Sequence, residues 1–309
     1  MKLVFRNSSH HLQSLTDNDC PASSLKVFGQ PLIVWNVSVT SKVLNIDKVM
    51  IPKDFPDALR LVQDKFPSIR VEQFSDDRDY NTTDTFPART ENIVIAGNDN
   101  FEIPINSLLR YSQNSGSFLM ELINYPWDFL NTIKKVLHDE VTQTVISTNA
   151  VVAKSSIIEG PCIIEDNVKI DDFCKIKGPI FIGKDSFIGM GSLVRNSMIS
   201  KETRIGFNCE ISKSYLGGND QIAHHNVILD SIIGENVWFG GYSGTANVLL
   251  TRQNIRYAIG DKLVDIGTNH FGTVVGNNCA IGASVIILPG RQVPANAKIQ
   301  AGTIFGKNN

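Results

Sequence analysis

The sequence lacks a charge excess of either sign: 29 Lys and Arg stand against 31 Asp and Glu, for a net −2 at neutral pH. A bulk basic field that would gather nucleic acid or an anionic membrane surface is therefore missing, and neither partner is expected. Long apolar runs are absent as well, and none approaches the ~18–20 residues of a membrane span. Met1-Lys2-Leu3-Val4-Phe5 leads straight into a polar stretch, without the apolar region of a signal peptide. Cysteine is scarce and odd in number, five residues without paired spacing, so neither a disulfide framework nor a metal site is expected. These absences leave a soluble, reduced, cytoplasmic protein as the expectation. A chain of 309 residues has room for two domains at ~100–200 residues each.

What the sequence does have is a repeat. Val152, Ile158, Ile164, Ile170, Ile176, Ile182, Ile188 and Val194 follow one another every six residues, and Val275, Ile281, Ile287, Val293 and Ile299 resume the period. Neither a 3.6-residue helix nor an alternating strand has this period. A β-solenoid does: each hexad supplies a short strand and a corner, and three hexads close one triangular coil. Stacked coils pair every backbone group with the coil above and below. The pattern predicts a left-handed parallel β-helix, an exception to the usual right-handed crossover.

After Val194 the inward positions become Ile199, Ile205, Ile211, Leu216, Ile222, Ile228, Ile233 and Phe239, at spacings of five, six, six, repeating. One side of each triangle is thus one residue short, always the same side. Cys162, Cys174, Cys209 and Cys279 all fall two residues before an inward aliphatic, where a small buried side chain is wanted. Cys20 lies outside the repeat. The pattern breaks between Gly240 and about Val264, which predicts a loop of ~20 residues extruded from one corner, a length that is usually functional or mobile.

Residues 1–120 alternate strand and helix signals and read as a truncated α/β domain. Leu3–Phe5, Lys48–Ile51 and Glu91–Gly97 are predicted strands; Leu32–Val43 and Asp57–Phe66 are predicted helices. Ser75–Arg89 reads as a polar loop. Residues 121–142 form a linker and a helix opened by Tyr125-Pro126-Trp127-Asp128, expected to cap the open end of the solenoid. The β-helix then occupies 143–309.

Pro21-Ala-Ser-Ser-Leu-Lys-Val-Phe-Gly-Gln-Pro-Leu-Ile33, the Tyr-Pro-Trp-Asp helix and the hexapeptide repeats occur in the order found in sugar-1-phosphate nucleotidyltransferases with β-helix tails. The chain resembles the GlmU-like group of that family, the bifunctional glucosamine-1-phosphate acetyltransferase / N-acetylglucosamine-1-phosphate uridyltransferases. The resemblance is specific over 124–309 and partial before it. It implies a Rossmann-like nucleotidyltransferase domain, here degenerate. The family's phosphate loop needs glycines for close backbone approach, whereas this chain reads Arg6-Asn-Ser-Ser-His10-His11 there and has Ala22 where a lysine follows the proline. The first glycine is Gly29. Pyrophosphorylase activity is therefore expected to be lost. Asp99 reads as a turn residue and His10 and His11 as exposed loop residues.

The resemblance implies an acetyltransferase site in the β-helix. His224 falls at the position of the family's catalytic histidine, ahead of Leu229-Asp-Ser-Ile-Ile-Gly-Glu-Asn-Val237. Imidazole suits a base that takes a proton from an amine attacking a thioester. His225 is its rival, and the two should point in different directions. Asn247, Arg195 and Lys213 fall at or beside family positions that bind the acceptor; a solvated corner arginine is the alternative for Arg195. Trp238, where the family has an asparagine, could stack on a base or sugar or pack at a subunit interface. Gly241, Ala283 and Ala301 match the small residues along which the family threads coenzyme A between subunits of a homotrimer, although the repeat itself also favours small residues there. Ser212 and Val227 depart from the family's acceptor ligands.

Two functions follow as expectations. The first is acetyl transfer from acetyl-CoA to an amino-sugar phosphate or nucleotide-sugar, with no metal. The second is a non-catalytic regulatory or scaffold homologue that binds nucleotide-sugars or a partner enzyme.

Overall fold

The structure, a computed structural model, describes residues 1–6, 25–75, 100–112 and 116–306. Its contacts form two compact units that divide after Asp128. Cys20, His10, His11, Ala22, Asp99, the expected strand Glu91–Gly97 and nearly all of Ser75–Arg89 lie outside the described residues. Among the described residues no helix is long and apolar enough to cross a membrane.

The N-terminal unit begins with β1 (Lys2–Arg6), a short hairpin of β2 (Lys26–Val27) and β3 (Gln30–Pro31), and α1 (Leu32–Ser41). Strand β4 (Lys48–Pro52), α2 (Pro56–Lys65), β5 (Arg70–Phe74) and β6 (Asn100–Pro104) follow. The four long strands form a parallel sheet in the order β5-β4-β1-β6, the order of a small doubly wound layer. An antiparallel hairpin, β7 (Ser107–Ser112) and β8 (Ser117–Leu122), closes the unit. Helix α1 is apolar almost all round because it is buried almost all round. Its buried Asn36 donates from Nδ2 to Ser107 O at 2.7 Å and accepts the Leu109 N–H at 2.9 Å, which fixes the helix along β7.

In the C-terminal unit three eight-stranded parallel sheets form the faces of a left-handed β-helix. Face 1 runs from Val151–Val152 to Lys298–Ile299, face 2 from Ile157–Glu159 to Ile304–Phe305, and face 3 from Val145–Ile146 to Arg291–Val293. The expected inward residues from Ile164 to Val293 form one continuous core, each no more than 2% exposed. On face 1 the register steps by 18 residues from Val151 to Lys169 to Phe187, then by 17 through Arg204, Gln221 and Trp238. The missing residue is always at the corner from face 2 to face 3. Asn196, Lys213 and Asp230 turn that corner with φ of 48°, 51° and 43°.

Two expectations are corrected. Gly240–Thr245 does not belong to the extruded loop: Gly244–Thr245 is a face 2 strand, paired with Val227 and Ile228 below and with Ile286 and Ile287 above. The repeat alternation had been masked by glycines that the close stacking of coils requires. A Cβ on Gly240 would lie 2.5 Å from Ala283 N. The excursion instead runs from Ala246 to Gly272, leaves by the one-residue-short corner, and contains an antiparallel hairpin of Arg256–Ile259 and Lys262–Asp265. Second, α3 (Pro126–Glu140) does not cap the open end. Its solenoid-side residues lie along face 3, where Phe129 meets Tyr215 edge-on at 4.9 Å and Lys134 Nζ reaches Asp230 Oδ1 at 2.9 Å. The outward residues of face 3 explain this, because Phe181, Met198, Tyr215, Ile232 and Val274 are all buried rather than solvated.

Candidate active site

After inward Ile222 the chain turns from face 1 to face 2 through Ala223-His224-His225-Asn226, with His225 at φ 58°. The corner is held from inside. Buried Asn226 donates from Nδ2 to Ala223 O at 2.8 Å and accepts the Ser243 N–H on Oδ1 at 2.9 Å. It belongs to a column in which Ser192 and Ser243 do the same job. Each hydroxyl accepts the amide of the next coil, Cys209 N–H and Val285 N–H, both at 3.0 Å. Sequence reasoning missed Asn226; the available signal was a long polar residue at a position filled by serine or cysteine in the coils on either side of it.

The two histidines do point in different directions. His224 is exposed, and its Nδ1 accepts the Phe207 N–H at 3.2 Å. An amide can only donate, so Nδ1 carries the lone pair and the neutral ring bears its proton on Nε2. His225 is clamped, with its ring stacked on Tyr242 (4.8 Å, 15°) and edge-on to Phe207 (5.1 Å, 88°). Its Nδ1 lies 3.2 Å from Asn208 Nδ2.

Gly241 lies directly over His224 on the next coil, where an added Cβ would come within 3.3 Å of His224 O. Ala283 and Ala301 continue the same corner upward, linked through Ser284 N–H to Gly241 O at 2.9 Å and Gly302 N–H to Ala283 O at 2.8 Å. Both alanines are exposed, so a strip without side-chain bulk rises from His224. Trp238, 46% exposed, stands on face 1 beside it and lines a small hollow with His224, Arg204, Gln221 and Phe187.

The other expected residues sit at a different corner. Arg195 Nη2 pairs with Glu210 Oε1 at 2.6 Å, and its buried Nε has no acceptor. Lys213 is exposed on the turn from face 2 to face 3. Asn247 Nδ2 donates to Asp230 Oδ2 at 2.8 Å, and the other oxygen of that carboxylate holds Lys134. Within one chain, therefore, His224, Trp238, Gly241, Ala283 and Ala301 share one edge of the prism, while Arg195, Lys213 and Asn247 share another.

The inward cysteines are free thiols, and burial pushes those of Cys162, Cys174 and Cys209 above the ordinary range. Among the described residues no three His, Cys, Asp or Glu side chains gather as metal ligands do.

Comparison with known proteins bears on this unit. The family described as GMPPB C-terminal domain matches residues 140–242. A bifunctional sugar-1-phosphate nucleotidylyltransferase/acetyltransferase of Sulfurisphaera tokodaii is 29% identical over 112 residues, 36% of this chain and 28% of that protein. The bifunctional protein GlmU of Methanococcus vannielii is 32% identical over 125 residues, 40% of this chain and 30% of that protein. The uncharacterized acetyltransferase YaiX of Escherichia coli O6:K15:H31 is 27% identical over 112 residues, 36% of this chain and 49% of that protein. The chain thus spans under a third of the length of the bifunctional relatives and about half of YaiX. Over these hexapeptide coils the chain is similar to GlmU-like sugar-1-phosphate nucleotidyltransferase/acetyltransferases, at about 30% identity.

Proposed function

We propose that the chain is an acetyltransferase that moves the acetyl group of acetyl-CoA to the amine of an amino-sugar phosphate or nucleotide-sugar. The observation that carries this reading is the exposed His224 at the foot of the strip formed by Gly241, Ala283 and Ala301. In this reading the strip accommodates the pantetheine arm, and His224 takes the proton from the amine as nitrogen attacks the thioester carbonyl. A backbone N–H at the corner steadies the oxyanion, and collapse of that intermediate expels the thiolate, which is protonated to the free thiol. His224 is the better base of the pair, because its ring has one hydrogen bond to give up, whereas His225 is held by Phe207, Tyr242 and Asn208. Because Nε2 already bears the ring proton, the amine's proton goes to Nδ1, which is free to take it once His224 leaves its contact with the Phe207 amide.

Homotrimerisation belongs to the same proposal, since it would let the corner bearing Arg195, Lys213 and Asn247 in one copy approach the His224 edge of another. So do a cytoplasmic location, the loss of pyrophosphorylase activity, and a division of the chain into an N-terminal remnant (1–120), a linker helix (121–142) and the β-helix (143–309).

The regulatory alternative is favoured by one observation: Arg195 and Asn247 already engage Glu210 and Asp230. One assay separates the two readings. Thiol release from acetyl-CoA is followed with glucosamine-1-phosphate and a panel of amino-sugar nucleotides, for wild type, His224→Ala and His225→Ala. Acceptor-dependent release that falls about 100-fold or more in His224→Ala and much less in His225→Ala is the expected result, from the usual contribution of a general base. Absence of release with every acceptor from a folded protein would favour the regulatory homologue.

A further inference from the structure

Face 1 carries a groove that extends beyond the residues used above. Two hollows of about 200 and 510 Å³ share Phe187 and Arg204 and so run together along the outer side of the face. The first reaches Gln221, His224 and Trp238; the second reaches Asn167, Lys169 and Asp185. Lys169, Phe187, Arg204, Gln221 and Trp238 are the outward residues of five successive coils, paired in register. At about 4.8 Å per coil, Lys169 stands roughly 14 Å along the face from Gln221.

The chemistry along this line is specific. The Arg204 guanidinium lies over the Phe187 ring at 4.9 Å, an arrangement that holds the charge in place without using its N–H donors. Neither Arg204 nor Lys169 is ion-paired among the described residues. The carboxylate in the lining, Asp185, is engaged through Oδ1 by Asn167 Nδ2 at 2.9 Å. Two cations without an ion pair, about two coils apart and one of them stacked on an aromatic ring, suit a ligand that combines a short run of phosphates with a planar base. A bare sugar phosphate would use one of these cations and leave the aromatic stack idle.

We infer that this groove is a binding site for a nucleoside diphosphate group. Arg204 and Lys169 hold the phosphates, the base packs against the Phe187–Arg204 stack, and the rest of the ligand extends past Gln221 toward His224 and Trp238. Only the statement of which end reacts rests on the proposed acetyl transfer; the binding site itself does not. The same chemistry is offered by the nucleotide of a nucleotide-sugar acceptor and by the nucleotide end of coenzyme A.

Calorimetric titrations of the full chain with UDP, with GDP and with coenzyme A test the inference. They are run on wild type, Arg204→Gln, Lys169→Gln and His224→Ala. Loss of one charge-assisted phosphate contact is worth about tenfold in affinity. Arg204→Gln is therefore expected to weaken binding about tenfold or more and Lys169→Gln several-fold. Both cations are exposed, so unchanged unfolding curves are expected for their variants. Binding of UDP or GDP that depends on Arg204 assigns the groove to a nucleotide-sugar; binding of coenzyme A alone that depends on Arg204 assigns it to the donor and takes the pantetheine arm off the Gly241–Ala283–Ala301 strip. No binding of any of the three, or binding undiminished in both cation variants, overturns the site. Thiol release that survives in His224→Ala alongside Arg204-dependent binding would remove the proposed catalysis and leave the nucleotide site standing.

Discussion

Replacing Asn226 tests the claim that a buried polar column, and not apolar packing alone, holds the histidine corner. In Asn226→Ala the Ser243 N–H loses its acceptor in the solenoid interior. The Ala223 carbonyl keeps the weaker Cys209 Sγ–H donor at 3.0 Å. An unsatisfied buried amide costs about 1–3 kcal/mol, so the whole substitution should cost about 2 kcal/mol. At ~2–4 °C per kcal/mol for a unit of this size, the thermal midpoint of the β-helix falls by about 4–8 °C. Asn226→Ser should do better, because Ser192 and Ser243 show that a hydroxyl in this column reaches the next coil's amide at 3.0 Å. Its cost is then mainly the small void, about 1 kcal/mol. The assay is circular dichroism on heating, wild type beside both variants. Equal losses in Ala and Ser, or none in Ala, would refute the hydrogen-bonding account.

Gly290 turns with φ of 69°, and an added Cβ would lie 2.5 Å from Ile255 Cγ2, whereas Gly267, with φ of 76°, has nothing within 4 Å. Gly290→Ala should therefore detach the 246–272 excursion, read as new proteolytic cleavage within it. Gly267→Ala should cost only the backbone strain of about 1–2 kcal/mol and leave the digestion pattern unchanged. The buried thiols make stability fall at alkaline pH. Burial raises the folded values of Cys162, Cys174 and Cys209, while unfolded thiols ionise near about 8.5, so their contribution is intact below that value and is lost as pH climbs from it toward the folded values. The urea midpoint should decline over that range, and Cys174→Ser/Cys209→Ser should decline less. Cys162, Cys174, Cys209 and Cys279 should react with a thiol reagent only after unfolding, which counting titrated thiols with and without denaturant will show.

Determination by sequence and by tertiary structure divides along a physical line. Whether a side chain points into or out of a coil depends on its place within six residues, so Ile164 through Val293, the inward cysteines and the short side of the triangle were all legible in the sequence, as were α1, α2 and strands β1 and β4. The excursion was displaced in the reading because Gly240, Gly241 and Gly244 imitate a loop, although close coil stacking demands glycine at Gly240. No period states what covers a face. Only packing decided that apolar Met198, Tyr215 and Ile232 are buried, Tyr215 against Phe129 of α3, while Trp238 remains open. His224 and Asn247 were each expected as site residues from a likeness alone; their separation onto two edges is a property of coil geometry, because residues 23 apart in a solenoid share an edge only if the count closes whole turns. The proton on His224 was equally out of reach of sequence, since it is set by an amide, Phe207 N–H, that lies one coil away in space and 17 residues away in the chain.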